Sequence, residues 1–297
     1  MLLPRHVPIA VWIFTLVLFS SGCAPVKYAR VDAVARTVQD VSAAAAKQSD
    51  LSIIREGTPA YLMLLDGLIE GYPMNKDLLL AGSQAYSSYA SSFFSDDEHD
   101  KTEALYRKAK LYGFRALSDR ADFSKAVGGS LDEFTALLNK FNKKDVPGLF
   151  WTANAWAGWI SAKMGAVDAM ADLPMLEATM KRILELDDTF YYGGPHLLIG
   201  VYLAAKPAIL GGDPAKAKQH FDRAFALGSG KILMSRVLFA QYYARVVSDR
   251  VLFTATLQEV LAARADEVPE LTFANTVAKE KARQLLEKTE AYFANPQ

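Results

Sequence analysis

The stretch from Gly200 to Ala224 reads Gly-Val-Tyr-Leu-Ala-Ala-Lys-Pro-Ala-Ile-Leu-Gly-Gly-Asp-Pro-Ala-Lys-Ala-Lys-Gln-His-Phe-Asp-Arg-Ala. It is two helical segments around a break. Pro207 and Gly211-Gly212 interrupt the first segment, and Asp213-Pro214 starts the second with an N-cap followed by proline at the first helical position. Within the second segment Ala217, Phe221 and Ala224 are spaced four and three apart, so they share one face. Small, aromatic, small is the order needed where two helices touch closely and a ring wedges against the next unit. Gly200 offers the matching close-contact position on the first segment. The stretch therefore reads as an antiparallel helical hairpin.

Working outward, almost every segment after residue 30 has the same character. Ala, Leu, Lys and Glu dominate, and apolar residues recur at three- and four-residue spacing. No sustained alternation of β-branched residues marks a strand. Breaks are brief, such as Gly71-Tyr72-Pro73, Gly128-Gly129-Ser130 and Leu173-Pro174, and Ser130 to Glu133 forms a capping box. Short connections make neighbouring helices antiparallel. The pattern predicts an all-α chain of about twelve helices, stacked as a tetratricopeptide-like superhelical array with a concave face. Ala60, Leu64 and Gly67 are a weaker match to the repeat, as are Leu176, Met180 and Ile183. The loop after Gly200 is roughly five residues longer than a standard repeat allows, and ordinary amphipathic packing would produce similar spacing.

The N-terminus carries a different signal. Arg5 and His6 precede an apolar run from Ile9 to Phe19, then Ser20-Ser21-Gly22-Cys23-Ala24. The run is too short for a membrane span, which needs roughly 17–25 residues. A positive flank, a short apolar core and small residues at the cut describe an export signal. Cys23, the only cysteine in the chain, sits where a bacterial lipoprotein is cut and acylated, although Ser20 stands where that motif usually has Leu. The expectation is a signal peptide over 1–22, a lipidated Cys23 with a tether over 23–30, and one helical domain over 31–297. Ala24 after the cysteine suits an outer-membrane destination with the protein facing the periplasm. A plain secretory signal cut nearby, with Cys23 a stray thiol, is the alternative.

Composition excludes several classes. Thirty-three basic and 33 acidic residues leave no net field to draw in nucleic acid. A single cysteine rules out a disulfide framework. Asp96-Asp97-Glu98-His99-Asp100 lacks the glycine and spacing of a calcium loop and reads as the acidic first turn of a helix. No metal or cofactor is expected. Gly211-Gly212-Asp213-Pro214 lacks the Gly-Lys-Ser/Thr of a phosphate loop. No nucleophile–base pairing stands out, so the chain is not read as an enzyme.

Two clusters are candidates for a ligand cavity. Trp151, Asn154, Trp156 and Trp159 share one helix, with Trp151 turned roughly 140° from Trp156. Tyr191, Tyr192 and His196 flank Gly193-Gly194-Pro195. Aromatics around one orienting amide are the usual lining of a small-molecule site. The same rings also suit plain core packing.

Four stretches resemble one family: Gly148 to Ile160, Leu184 to Gly200 with its Tyr-Tyr-Gly-Gly, Leu210 to Phe221 with its Leu-Gly-Gly-Asp-Pro, and Gly230 to Tyr243. They resemble the TatT family, the T component that accompanies some tripartite periplasmic (TRAP) transporters, with a looser likeness from about residue 50 to 293. The resemblance implies a helical-repeat lipoprotein facing the periplasm. It also implies a partner, the periplasmic solute-binding receptor of a TRAP transporter, with the chain helping to pass a small, hydrophobic solute. Self-association, with a trimer as one form, is a further implication. A helical scaffold for envelope assembly, with no small-molecule role, is the competing expectation.

Overall fold

The computed structural model describes residues 23–94, 98–118, 123–163 and 165–294. Residues 1–22, expected to form the export signal, lie outside them, as do Asp96 and Asp97 of the acidic cluster. The described residues are helical and contain no strand. The α-helices are α1 (Cys23–Ala46), α2 (Leu51–Gly71), α3 (Lys76–Phe93), α4 (His99–Leu117), α5 (Phe123–Val127), α6 (Leu131–Leu138), α7 (Val146–Ala162) and α8 (Val167–Ala171). They continue with α9 (Leu173–Leu186), α10 (Phe190–Ala205), α11 (Pro214–Gly228), α12 (Leu233–Leu238), α13 (Arg250–Ala262), α14 (Thr272–Glu287) and α15 (Thr289–Phe293). A π-helical turn, Phe239–Ala244, extends α12. The segment 23–30 runs as the first part of α1.

Local signals set the helix starts. Asp50 accepts from the amides of Ser52 and Ile53. Ser130 and Glu133 exchange the two bonds of a capping box. The Asp213 carboxylate accepts from the Lys216 amide ahead of α11, with Pro214 in the first turn. These bonds satisfy amides that the helix itself leaves free.

The pairs α2–α3, α4–α7 and α10–α11 run antiparallel, and glycines mark where they touch. On α2 and α3, Arg55 reaches the Phe93 carbonyl and Ile69 meets Gly82. On α4 and α7, Gly113 faces Thr152 and Tyr106 faces Gly158. On α10 and α11, Gly200 faces Phe221 and the Ala217 carbonyl, and Gly193 faces Leu227. Ala217, Phe221 and Ala224 are all buried at that crossing. Asp66 of α2 accepts from the Tyr86 hydroxyl of α3 and from the Tyr112 hydroxyl and Lys108 ammonium of α4, which ties three helices at one carboxylate.

Two details differ from the sequence expectation. The α4–α7 pair is not joined by a short loop: α5, α6 and a 3₁₀ turn (Lys143–Asp145) intervene. That excursion stays because it sends Phe123, Phe134 and Phe141 into the main core beside Phe114 and Trp156. On α2 the weaker repeat match points outward. The helix buries Leu62, Leu65 and Ile69, so Leu64 is 57% exposed and a Cβ on Gly67 would meet nothing.

The last long helix returns to the first ones. Phe273 of α14 packs near Phe93 of α3, and Lys47 after α1 pairs with Glu270 just before α14. These contacts bring the segment around α14 beside α1 and α3, and a hollow opens among the helices. No helix among the described residues is long and apolar enough to cross a membrane.

Candidate functional site

The hollow has a volume of about 490 Å³ and takes side chains from α1, α2, α3, α4, α7, α10, α11, α12 and α14. That volume falls within the roughly 300–1,000 Å³ of small-molecule pockets. Its aromatic wall comes from α7 and α10. Trp151 meets Tyr191 edge-on at 5.0 Å and Phe150 at 5.1 Å, and Tyr191 meets Tyr192 at 6.0 Å.

The backbone under the tyrosines is strained. Tyr191 (φ 46°, ψ 54°), Tyr192 (φ 59°, ψ 35°) and Gly193 (φ 82°, ψ 21°) are three consecutive left-handed residues. For a residue with a side chain that conformation costs about 1–2 kcal/mol. Neighbours hold it in place. A Cβ on Gly193 would fall 2.9 Å from the Leu227 Cβ, and one on Gly194 would fall 2.7 Å from the Phe150 ring. The two glycines let α10 approach α11 and α7 closely enough for the preceding tyrosines to turn into the hollow. Strain retained at such a position is characteristic of functional sites. Burial raises the Tyr191 phenol above its ordinary value.

Of the residues singled out in the sequence, the structure brings Trp151, Asn154, Tyr191 and Tyr192 to the hollow. Asn154, three residues after Trp151, donates to the Phe150 carbonyl at 3.3 Å. Trp156 and Trp159 lie elsewhere. Trp156 is fully buried against Phe114 and Phe134, and its indole N–H donates to Asp172 at 2.7 Å. The Trp159 N–H donates to Glu103 at 2.9 Å, with the Lys110 ammonium 3.2 Å from its ring centroid. The helix period explains the division: the 140° turn that separates 151 from 156 puts one ring in the hollow and the other in the core.

His196 also lies outside the lining. Its Nδ1 is 3.0 Å from His220 Nδ1 across the α10–α11 crossing, and its Nε2 is 3.4 Å from Asp188, which also accepts from Arg223. Burial pulls both imidazoles below the ordinary histidine value. For His196 it outweighs the nearby Asp188 carboxylate, and for His220 the neighbouring His196 adds to it. A shared Nδ1–H bond needs one ring to donate and the other to accept.

Sequence reasoning passed over the polar part of the lining. Gln84, Ser87, Ser88, Ser91 and Ser92 of α3 face the hollow, as do Phe273, Ala274 and Val277 of α14. The serine row was visible as small polar residues at helical spacing. The part played by α14 was not, because it depends on a contact between opposite ends of the chain. Among the described residues no group of three or more His, Cys, Asp or Glu is placed to hold a metal ion.

No curated protein matches the chain. The family model of the TRAP transporter T-component matches residues 47–293, which run from the end of α1 through α15 and include nearly all of the hollow's wall. The chain belongs to the TRAP transporter T-component family.

Proposed function

We propose that this T-component is a lipid-anchored accessory in the cell envelope that docks the periplasmic solute receptor of its transporter and holds a small solute with an apolar body in the central hollow. The observation that carries the solute part is the aromatic wall of Phe150, Trp151, Tyr191 and Tyr192, built at the cost of backbone strain. A scaffold that only gripped a peptide needs a groove for it, and nothing in that role calls for two left-handed tyrosines. The tetratricopeptide-like reading is supported by the α10–α11 crossing at Gly200, Ala217, Phe221 and Ala224.

Anchoring rests on Cys23. One acyl chain binds a membrane marginally and two or more bind stably, so multiple acylation at Cys23 would hold the domain at the periplasmic face of the outer membrane. Association of the chain with itself, as a trimer, extends the proposal.

The test is crosslinking of the purified mature chain to the solute receptor of its transporter, with the receptor empty and loaded. A crosslink in at least one state is expected, and its absence in both overturns the docking assignment. Mass spectrometry of the membrane-extracted protein should find acylated Cys23, which Cys23→Ala abolishes. Light scattering of the mature chain tests the trimer.

A further inference from the structure

The hollow's charge pattern narrows what it would hold. Among the described lining residues there is no Lys, Arg or His. The single carboxylate is Glu270, whose side chain is 64% exposed and lies 3.7 Å from Lys47. The Tyr61 and Tyr191 phenols stay neutral, since burial raises both above the ordinary value. An anion moving from water onto this lining would meet no lining cation, the neighbouring Lys47 being paired with Glu270 and Arg55 with the Phe93 carbonyl, and a cation would meet no carboxylate beyond Glu270. Both costs are large for a charge taken out of water.

The wall offers uncharged hydrogen-bonding groups instead, arranged in a row. Gln84, Ser87, Ser88, Ser91 and Ser92 follow one face of α3 at helical spacing. The Ser87 hydroxyl is buried without a partner. Ser91 donates to the Ser88 carbonyl at 3.1 Å and keeps its oxygen free to accept. On α7, the Asn154 amide nitrogen donates to the Phe150 carbonyl, and the residue lines the hollow. The aromatic rings of α7 and α10 supply the apolar surface.

We infer that the hollow selects an electrically neutral solute with an apolar body and a hydroxyl-bearing end, the end meeting the α3 serine row and the body meeting Trp151 and Tyr191, and that it discriminates against carboxylates. This rests on the proposal that the hollow is a solute site.

The test is calorimetric titration of the mature chain with three probes of equal chain length, each below its micelle concentration: 1-decanoylglycerol, decanoate and decyltrimethylammonium. The glycerol ester should bind at least tenfold more tightly than either ion at pH 8. Decanoate should tighten about tenfold for each pH unit lowered between pH 8 and 6, because only the protonated acid is accepted and that form grows tenfold per unit above its pKa. Gln84→Lys should make decanoate binding nearly independent of pH. Asn154→Lys serves the same purpose if circular dichroism shows that the first variant does not fold. Ser87→Ala combined with Ser91→Ala should weaken the glycerol ester at least fivefold, and unchanged affinity would overturn the serine assignment. Decanoate binding as tightly as the ester at pH 8 overturns the charge selection while leaving the solute site standing. If no probe binds, the solute site falls as well, and receptor crosslinking still decides the docking assignment independently.

Discussion

Two tryptophans five residues apart on α7 should respond to truncation to different degrees. Trp156 is fully buried, packs edge-on against Phe114 at 4.9 Å and donates to Asp172. Trp156→Ala removes a complete indole from a closed core and takes a donor from a carboxylate. Such truncations cost about 3–5 kcal/mol. In a domain of this size each kcal/mol shifts Tm by about 2–4 °C, so Tm should fall by about 6–20 °C. Trp151 faces the hollow, and its loss removes two edge-on ring contacts worth about 0.5–1.5 kcal/mol each. Trp151→Ala should therefore cost about 1–3 kcal/mol and abolish binding of the neutral probe. Trp156→Phe keeps a ring between Phe114 and Phe134 and should fall between the two, since Asp172 still has Lys110 at 3.4 Å. Urea-induced unfolding followed by circular dichroism measures stability, and calorimetry measures binding. If Trp151→Ala destabilised the chain as much as Trp156→Ala, the assignment of one ring to the hollow and the other to the core would be refuted.

Other outcomes follow from the same geometry. Gly67→Ala should stabilise by about 0.5–1 kcal/mol, because the position is mid-helix and its Cβ meets nothing; a lower Tm would contradict the placement of α2. Gly212→Ala should destabilise by more than about 2 kcal/mol, since its Cβ would overlap the Lys206 carbonyl oxygen and force the α10–α11 connection apart. Acid should act in two windows. The folded pKa values of His196 and His220 lie below the unfolded value near 6.5, so the unfolded chain takes up protons first and stability falls as pH drops below about 6.5. His220→Gln should remove much of that slope between pH 6.5 and 5, and an unchanged slope in urea titrations would count against the buried pair. Glu177 is a carboxylate whose burial, which raises its pKa, is outweighed by Lys181, Tyr202 and Lys206, and it sits at about 2. Its contribution is complete above the unfolded value near 4.3 and is lost as pH falls toward 2, so Glu177→Gln should flatten only that lower window.

Much of the fold was legible because its causes are local. An N-cap needs only Asp213 and the amide three residues on, and a helical face needs only the spacing of Ala217, Phe221 and Ala224. Even the separation of Trp151 from Trp156 followed from the helix period. What the period leaves open is which face meets a neighbour. It gave Leu64 and Gly67 the right spacing for a contact, yet Leu62, Leu65 and Ile69 form the buried face of α2. Nor does spacing reveal that α5 and α6 fold back to fill the core between α4 and α9 with Phe123 and Phe134. The hollow belongs wholly to the tertiary structure. Its wall joins α1 and α3 near one end of the chain to α14 near the other, through Phe93 with Phe273 and Lys47 with Glu270. Local sequence decides where each helix starts and which side chains share a face. Only packing between distant helices decides whether a face closes into core or stops short and leaves space, because that depends on chain segments that spacing along one helix cannot sense.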